Sequence, residues 1–341
     1  MDLWEKLRTE KKPVWLYGMG NGADRIIERL ERYGIEPEGV FVSDGFVRDK
    51  SFHGFKLCSY ADAVKKSPDM TVLVAFGTSI PEVVGNIKRI AKERSLYAPY
   101  VPVIGEGDFT SAYYAAHKSE LDNVRSMLCD EQSKRVFDNI INYRLTGEID
   151  YLLTCESLPE EAYGLLNLRD EVYVDLGAYT GDTVAEFIKY TKGYERIYAL
   201  EPDKKTFRKL EKNLSGLENT YLYNAAAHEK SGKIAFAMRG GRNSSAAETG
   251  ILTDSVSVDD ILEDDRASYI KMDVEGAELA AIRGAKETIL KYKPKLAISC
   301  YHRIDDIFEI PKEVLSLRKD YKVYMRHMPY IPDWDTVFYF V

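Results

Sequence analysis

Twice along this chain a short apolar run, a glycine-rich turn and an amphipathic helix follow one another, and that order limits what the chain can fold into. The first instance is PVWLYG, MGNGA and DRIIERLERYG from Pro13, the helix carrying apolar residues at helical spacing. The second is VYVDLG, AYTGD and a helix starting near Asp182 and Thr183. A strand that feeds a helix and then another strand builds a parallel sheet, because the helix returns the chain across one face. After the first unit come GVFVSD, a helical ADAVKK, TVLVAFG and a helix from Pro81 to about Arg94, so a small parallel sheet is expected. From Glu171 the alternation resumes on a larger scale, with VYVDLG, RIYALE, YLYNAA, KIAFAM, SYIKMD, KLAISCY, KVYMRHM and TVFYFV reading as strands of one large sheet. The last two lie close together across HMPYIPDWD and read as an antiparallel hairpin at one edge of an otherwise parallel sheet.

Between the two series the character changes. YAPYVPVIGEG reads as an edge or exit segment and places a boundary near residue 106. Residues 110 to about 170 are helical in pattern, without a convincing strand. The expected architecture is α/β: a small Rossmann-like domain over 1–106, a helical connector over 107–170 and a larger Rossmann-like domain over 171–341. A chain of 341 residues exceeds what one compact core usually holds, which favours two domains. A net charge of −8 argues against a protein that mainly neutralises nucleic-acid phosphates, so nucleic acid is not an expected partner. Cys58, Cys129, Cys155 and Cys300 are scattered, without a C-x-x-C pair, which suggests neither a zinc cluster nor a redox motif. The opening MDLWEKLRTEKK is charged, and no apolar run approaches the ~20 residues that span a bilayer, so the expected address is the cytoplasm.

The chemistry concentrates at the second glycine turn. Asp175 ends its strand, Gly177 and Gly181 form G-x-x-x-G, and the helix follows. Free N–H groups at a helix start suit a ligand carboxylate, and Asp175 suits an ammonium group; a methionine moiety offers both. The next strand ends in ALEPD, placing Glu201 where an acidic side chain can hydrogen-bond a ribose diol. A dinucleotide site favours G-x-G-x-x-G because a pyrophosphate sits against the turn, so the spacing here fits an adenosyl ligand without phosphates. The candidate cofactor-binding residues are Asp175, Gly177, Ala178, Tyr179, Gly181, Asp182, Thr183, Glu201, Pro202, Asp203 and Ala226.

VDLGAYTGDT, ALEPD, SVSVDDIL and YIKMDVEGAELAAIRGA together resemble the FkbM family of class I methyltransferases, over about residues 120 to 341. DEQSKRVFDNIINYRLTG resembles the helical lead-in of bacterial members, and the terminal hairpin resembles the reversed final strand of class I methyltransferases. The resemblance implies S-adenosyl-L-methionine as cofactor, around Asp175, Gly177, Gly181 and Glu201. It further implies O-methylation of a hydroxyl on a sugar, glycan, nucleotide-sugar or related small molecule, without supplying the acceptor.

A hydroxyl is a poor nucleophile at neutral pH, so a base is sought at the strand ends. SYIKMD ends at Asp273, with Glu275 and Glu278 just after it. KLAISCY leads to His302, which in the strand order of class I methyltransferases lies beside Asp273. Asp273, His302 and Glu275 are the catalytic candidates; helix capping by Glu275 and a first-turn helix position for Glu278 are the structural alternatives. No ligand series with recognisable spacing appears, and no metal is assigned. MRGGRNSSAAETG, residues 238 to 250, reads as a substrate lid whose Arg239 and Arg242 could meet an acidic acceptor, or as a plain hairpin connection.

In the first series, Gly18, Gly20 and Ala23 form G-x-G-x-x-A after a strand, with Asp44 ending the next. This resembles the small Rossmann-like domains at the front of some sugar-modifying enzymes, and could serve a nucleotide ligand, acceptor recognition or homodimerisation. An NAD(P)-dependent oxidoreductase or nucleotide-sugar enzyme using this domain is one alternative function, disfavoured by the lack of a Tyr-x-x-x-Lys pair after its sheet. A non-catalytic nucleotide-binding sensor or scaffold is another.

Overall fold

The computed structural model describes residues 1–43, 45, 51–237, 245–246, 251–263 and 265–341. Asp44, Arg239, Arg242 and most of the expected lid lie outside the described residues. The first sheet holds Val14–Tyr17, Pro37–Phe41, Thr71–Val74 and Ser95–Tyr97, all parallel, with Val14–Tyr17 and Thr71–Val74 paired at its centre. Those two central strands are buried at every position, which is why they read as unbroken apolar runs. Ser59 starts the following helix by accepting a hydrogen bond from the Asp62 amide.

The expected helical stretch consists of Ser111–Ala116, Lys118–Met127, Glu131–Thr146, Ile149–Leu153 and Pro159–Leu166. Asp130 caps Glu131–Thr146 through the Ser133 amide, and Gly147 ends it with a left-handed backbone.

The main sheet runs Thr220–Tyr223, Tyr194–Leu200, Glu171–Leu176, Tyr269–Met272, Lys295–Ser299, Thr336–Phe340, Val323–His327. All pairings are parallel except those of Thr336–Phe340, which slots in antiparallel between its two neighbours. The connections diverge between Glu171–Leu176 and Tyr269–Met272, and a crevice at such a switch point is where open α/β sheets bind ligands. The register sets Asp175 beside Lys271 and Met272 beside Ile298, so the strand ends carrying Asp175, Asp273 and Ser299 open on one edge.

KIAFAM is not part of this sheet. Gly232–Ala237 instead pairs antiparallel with Ile251–Val256, in a separate four-stranded sheet with Ala226–Ala227 and Ser245–Ala246. Ile251–Val256 escaped the sequence reading because its middle is Thr253, Asp254 and Ser255 and its Leu252 is exposed, so it presents no apolar face. The short hairpin of Ser51–Phe52 and Phe55–Lys56 was likewise unanticipated.

One apolar core extends from Trp15 and Phe41 through Val136, Phe137 and Ile140 to Ile270, Ile298 and Phe338, so the two sheets and the helices between them are packed together. Backbone bonds cross as well: the Ile104 amide donates to the His302 carbonyl at 2.8 Å, and Thr78 exchanges two bonds with Ile331. Among the described residues no helix is long and apolar enough to cross a membrane.

Candidate active site

At the carboxyl edge of the main sheet lies a cavity of about 370 Å³. One wall is the turn after Glu171–Leu176, with Gly177, Tyr179, Asp182 and Thr183, joined by Glu201, Pro202 and Ala226. The facing wall carries Asp273, Val274, Glu275, Ser299 and Tyr301, and Met328 and Asp335 reach in from the loop between the last two strands.

The predicted cofactor residues therefore divide into lining and support. Gly177, Tyr179, Asp182, Thr183, Glu201, Pro202 and Ala226 line the cavity; Asp175, Ala178, Gly181 and Asp203 stand behind it. Asp175 is fully buried and takes a hydrogen bond from the Thr183 hydroxyl on Oδ2, while among the described residues its Oδ1 makes no hydrogen bond of ordinary geometry. Burial raises its pKa, against the pull of Lys271 and the Thr183 hydroxyl. Asp203 caps Lys204–Leu214 through the Thr206 amide, and Ala178 packs with Val184 and Phe187. The two glycines serve the protein's own packing. A Cβ on Gly177 would sit 2.0 Å from the Asp273 carbonyl oxygen, and one on Gly181 2.9 Å from Leu214. Gly177 thus lets the two central strand ends close up, which sets the width of the cavity floor.

Glu201 ends its strand almost buried and accepts from the Asp203 amide at 2.8 Å. Burial pushes its pKa up to about 7, outweighing the Asp203 and Tyr179 amides that favour the charged form.

At the other end, the structure brings together three carboxylates and a histidine. His302 is fully buried; its Nδ1 lies 2.9 Å from Glu278 Oε1, and its Nε2 lies 3.5 Å from both Asp273 Oδ1 and Glu275 Oε2. Burial by itself would strip the ring of its proton, but Glu278, Asp273 and Glu275 outweigh it and push the pKa up to about 10. A ring so held is a cation at neutral pH, with no lone pair to take a proton. Glu278 turns back to accept from the amides of Val274 and Gly276, which explains its burial at the start of Glu278–Gly284.

Asp273 and Glu275 face the cavity, each with about a quarter of its side chain exposed. Burial raises the Asp273 pKa, but Lys271 and His302 prevail and the net shift is downward. The Tyr301 hydroxyl donates to Asp273 at 3.0 Å, and Lys271 Nζ lies 3.6 Å from its other oxygen. Sequence reasoning passed over Lys271 and Tyr301. A lysine inside an otherwise apolar central strand was the available signal, since a buried charge needs a partner.

A second cavity, of about 280 Å³, lies at the first glycine turn between the two sheets, lined mainly by apolar side chains such as Val74, Phe76, Pro332 and Trp334.

Residues 175–324 match the family model described as the Methyltransferase FkbM domain. Over that stretch the chain carries a methyltransferase domain similar to those of the FkbM family. Among solved structures, methyltransferase FkbM from Methylobacillus flagellatus KT superposes with a TM-score of 0.73 at 24% identity, over 99% of this chain and 93% of that one, and so shares the fold of both sheets. An rRNA methylase from Streptococcus thermophilus matches with a TM-score of 0.37 at 17% identity, over 54% of this chain and 96% of its own. Aeropyrum pernix fibrillarin, solved with natively bound S-adenosyl-L-methionine, matches with a TM-score of 0.35 at 14% identity, over 53% of this chain and 74% of its own. No curated protein matches the chain.

Proposed function

We propose that this methyltransferase moves the methyl group of S-adenosylmethionine to a hydroxyl of a sugar, glycan, nucleotide-sugar or related polyol. The observation that carries the reading is the single cavity whose one end is the turn with Glu201 and whose other end is the Asp273 and Glu275 pair. Donor and acceptor can then share one enclosed space, and holding reactants in line is the main contribution such a site makes.

The residues fit the cofactor. The buried carboxylate of Asp175 supplies negative charge beneath the turn, Thr183 and the amides that start Asp182–Tyr190 suit a carboxylate, and Glu201 suits two ribose hydroxyls. When bound, the cofactor supplies an electrophilic methyl; transfer forms an O–CH₃ bond, breaks the S–CH₃ bond and leaves the electron pair on sulfur. Asp273 is the group that receives the acceptor proton, being ionised and open to the cavity, with Tyr301 and Lys271 fixing its orientation. Protonated His302 acts from behind as a positioning residue for Asp273 and Glu275 rather than as the base. The Asp273 and Glu275 carboxylates lining the cavity suit the hydroxyls of a polyhydroxylated acceptor.

Calorimetric titration with S-adenosylmethionine, S-adenosylhomocysteine and NAD(H), followed by an acceptor screen with methyl-labelled cofactor, tests this. The expected outcome is binding of the first two and label transfer to a sugar hydroxyl. Binding of NAD(H) alone would return the protein to the oxidoreductase alternative.

A further inference from the structure

The spacing of acidic residues in the sequence assigns no metal here, yet the fold gathers a donor set from two strand ends and a helix start. We infer that His302, Asp273 and Glu275 form a site for one divalent cation, which on binding displaces the Nε2 proton of the His302 ring. His302 is fully buried, and among the described residues its Nε2 makes no hydrogen bond, with one carboxylate oxygen of Asp273 and one of Glu275 each 3.5 Å away. A buried ring nitrogen left in that position costs free energy unless something bridges the gap. With metal–ligand bonds of about 2.1 Å, an N···O separation of 3.5 Å corresponds to an angle of about 110° at the ion, close to tetrahedral.

The surroundings fit the same reading. Glu278 lies 2.9 Å from the opposite ring nitrogen, the place where a carboxylate orients a metal-bound histidine. Glu278 is itself fixed by the Val274 and Gly276 amides, and the His302 backbone is fixed by the Ile104 amide. Lys271 lies 3.6 Å from Oδ2 of Asp273, and Oδ1, which accepts from the Tyr301 hydroxyl, lies 3.5 Å from the histidine. Asp273 and Glu275 line the cavity while His302 does not, so the ion's open positions face the cavity. One imidazole with carboxylates suits Mn²⁺ or Zn²⁺ better than a cation that prefers oxygen alone.

The site rests on these distances; its role rests on the transfer reading above. A cation there would bind the acceptor oxygen and make its hydroxyl more acidic, easing loss of the proton before the O–CH₃ bond forms.

The test is Mn²⁺ titrated into chelator-treated full-length protein, followed by calorimetry and by loss of the free Mn²⁺ electron paramagnetic resonance signal. S-adenosylhomocysteine binding is measured on the same samples. The expected result is one Mn²⁺ per chain, with His302→Ala and Glu275→Gln each weakening it at least about tenfold and S-adenosylhomocysteine affinity unchanged. Should His302→Ala fail to fold, Glu275→Gln, at a partly exposed position, answers alone. Absence of stoichiometric binding by either Mn²⁺ or Zn²⁺, or equal affinity in the variants, overturns the site even where S-adenosylhomocysteine binds. Binding of Mn²⁺ without S-adenosylhomocysteine would keep the site and overturn the transfer reading.

Discussion

The two glycine turns share a backbone pattern and differ in what surrounds them. At the first, a Cβ on Gly22 would sit 2.4 Å from the Ala75 carbonyl oxygen, and the crevice beyond, about 280 Å³, is lined mainly by apolar side chains such as Phe76, Pro332 and Trp334. Arg25, at the start of the helix, donates to the Pro102 carbonyl and so ties the turn to the segment crossing toward the main sheet. At the second, the same close approach sits next to a buried carboxylate, a second carboxylate pushed up to about 7 and a cavity of about 370 Å³. Glycine spacing thus specifies how near two backbones come, whereas charged groups at strand tips specify whether a ligand is held there. The first turn packs at the junction between the sheets; the second borders the proposed site.

The strongest test of that contrast is Asp175→Ala, which removes the buried charge beneath the second turn and the acceptor that orients Thr183. Affinity for S-adenosylhomocysteine should fall by at least about a hundredfold, the order expected for losing a charge-assisted interaction of about 3 kcal/mol, while circular dichroism stays native. Unchanged affinity in calorimetry would remove Asp175 from the site. Next in size is the same substitution made in both turns. Gly22→Ala should lower stability by about 2 kcal/mol through overpacking, read by thermal melting, and leave cofactor affinity intact. Gly177→Ala should cost at least as much stability and also weaken the cofactor, because the Asp273 carbonyl has to move. If the two variants behave alike, the division between junction and site is wrong.

The smallest expected effect is a pH dependence. Ligand hydroxyls donate to the ionised form of Glu201, so binding favours that form and lowers its pKa from about 7. Affinity should therefore be greatest above neutral pH and fall, by up to about tenfold per unit, as the pH drops through and below 7. Glu201→Gln should bind more weakly and with a flat profile over the same range; a sloping profile in that variant would assign the titration elsewhere.

Much of this protein is legible in its sequence because the relevant physics is local. A strand running into a glycine turn and a helix announces its own parallel pairing, so the Val14–Tyr17 and Glu171–Leu176 units and the terminal hairpin are apparent from apolar period and turn residues alone. The pattern fails where a strand has no apolar face, as at Ile251–Val256, because period then carries no signal. It also groups together residues that the fold separates: Gly177 and Tyr179 line the cavity, but Ala178, Gly181 and Asp203 lie beneath it, a division set by packing against Phe187 and Leu214.

His302 illustrates the limit best. Its place beside Asp273 follows from the strand order, but its charge does not, since that depends on Glu278 and Glu275 converging on one buried ring. The sequence alone determined which residues stand at the strand tips, because backbone periodicity puts them there. Only the tertiary structure decided which of those tips face one another across 3.5 Å and how far each is withdrawn from water, and these two quantities govern electrostatic energy in a low-dielectric site.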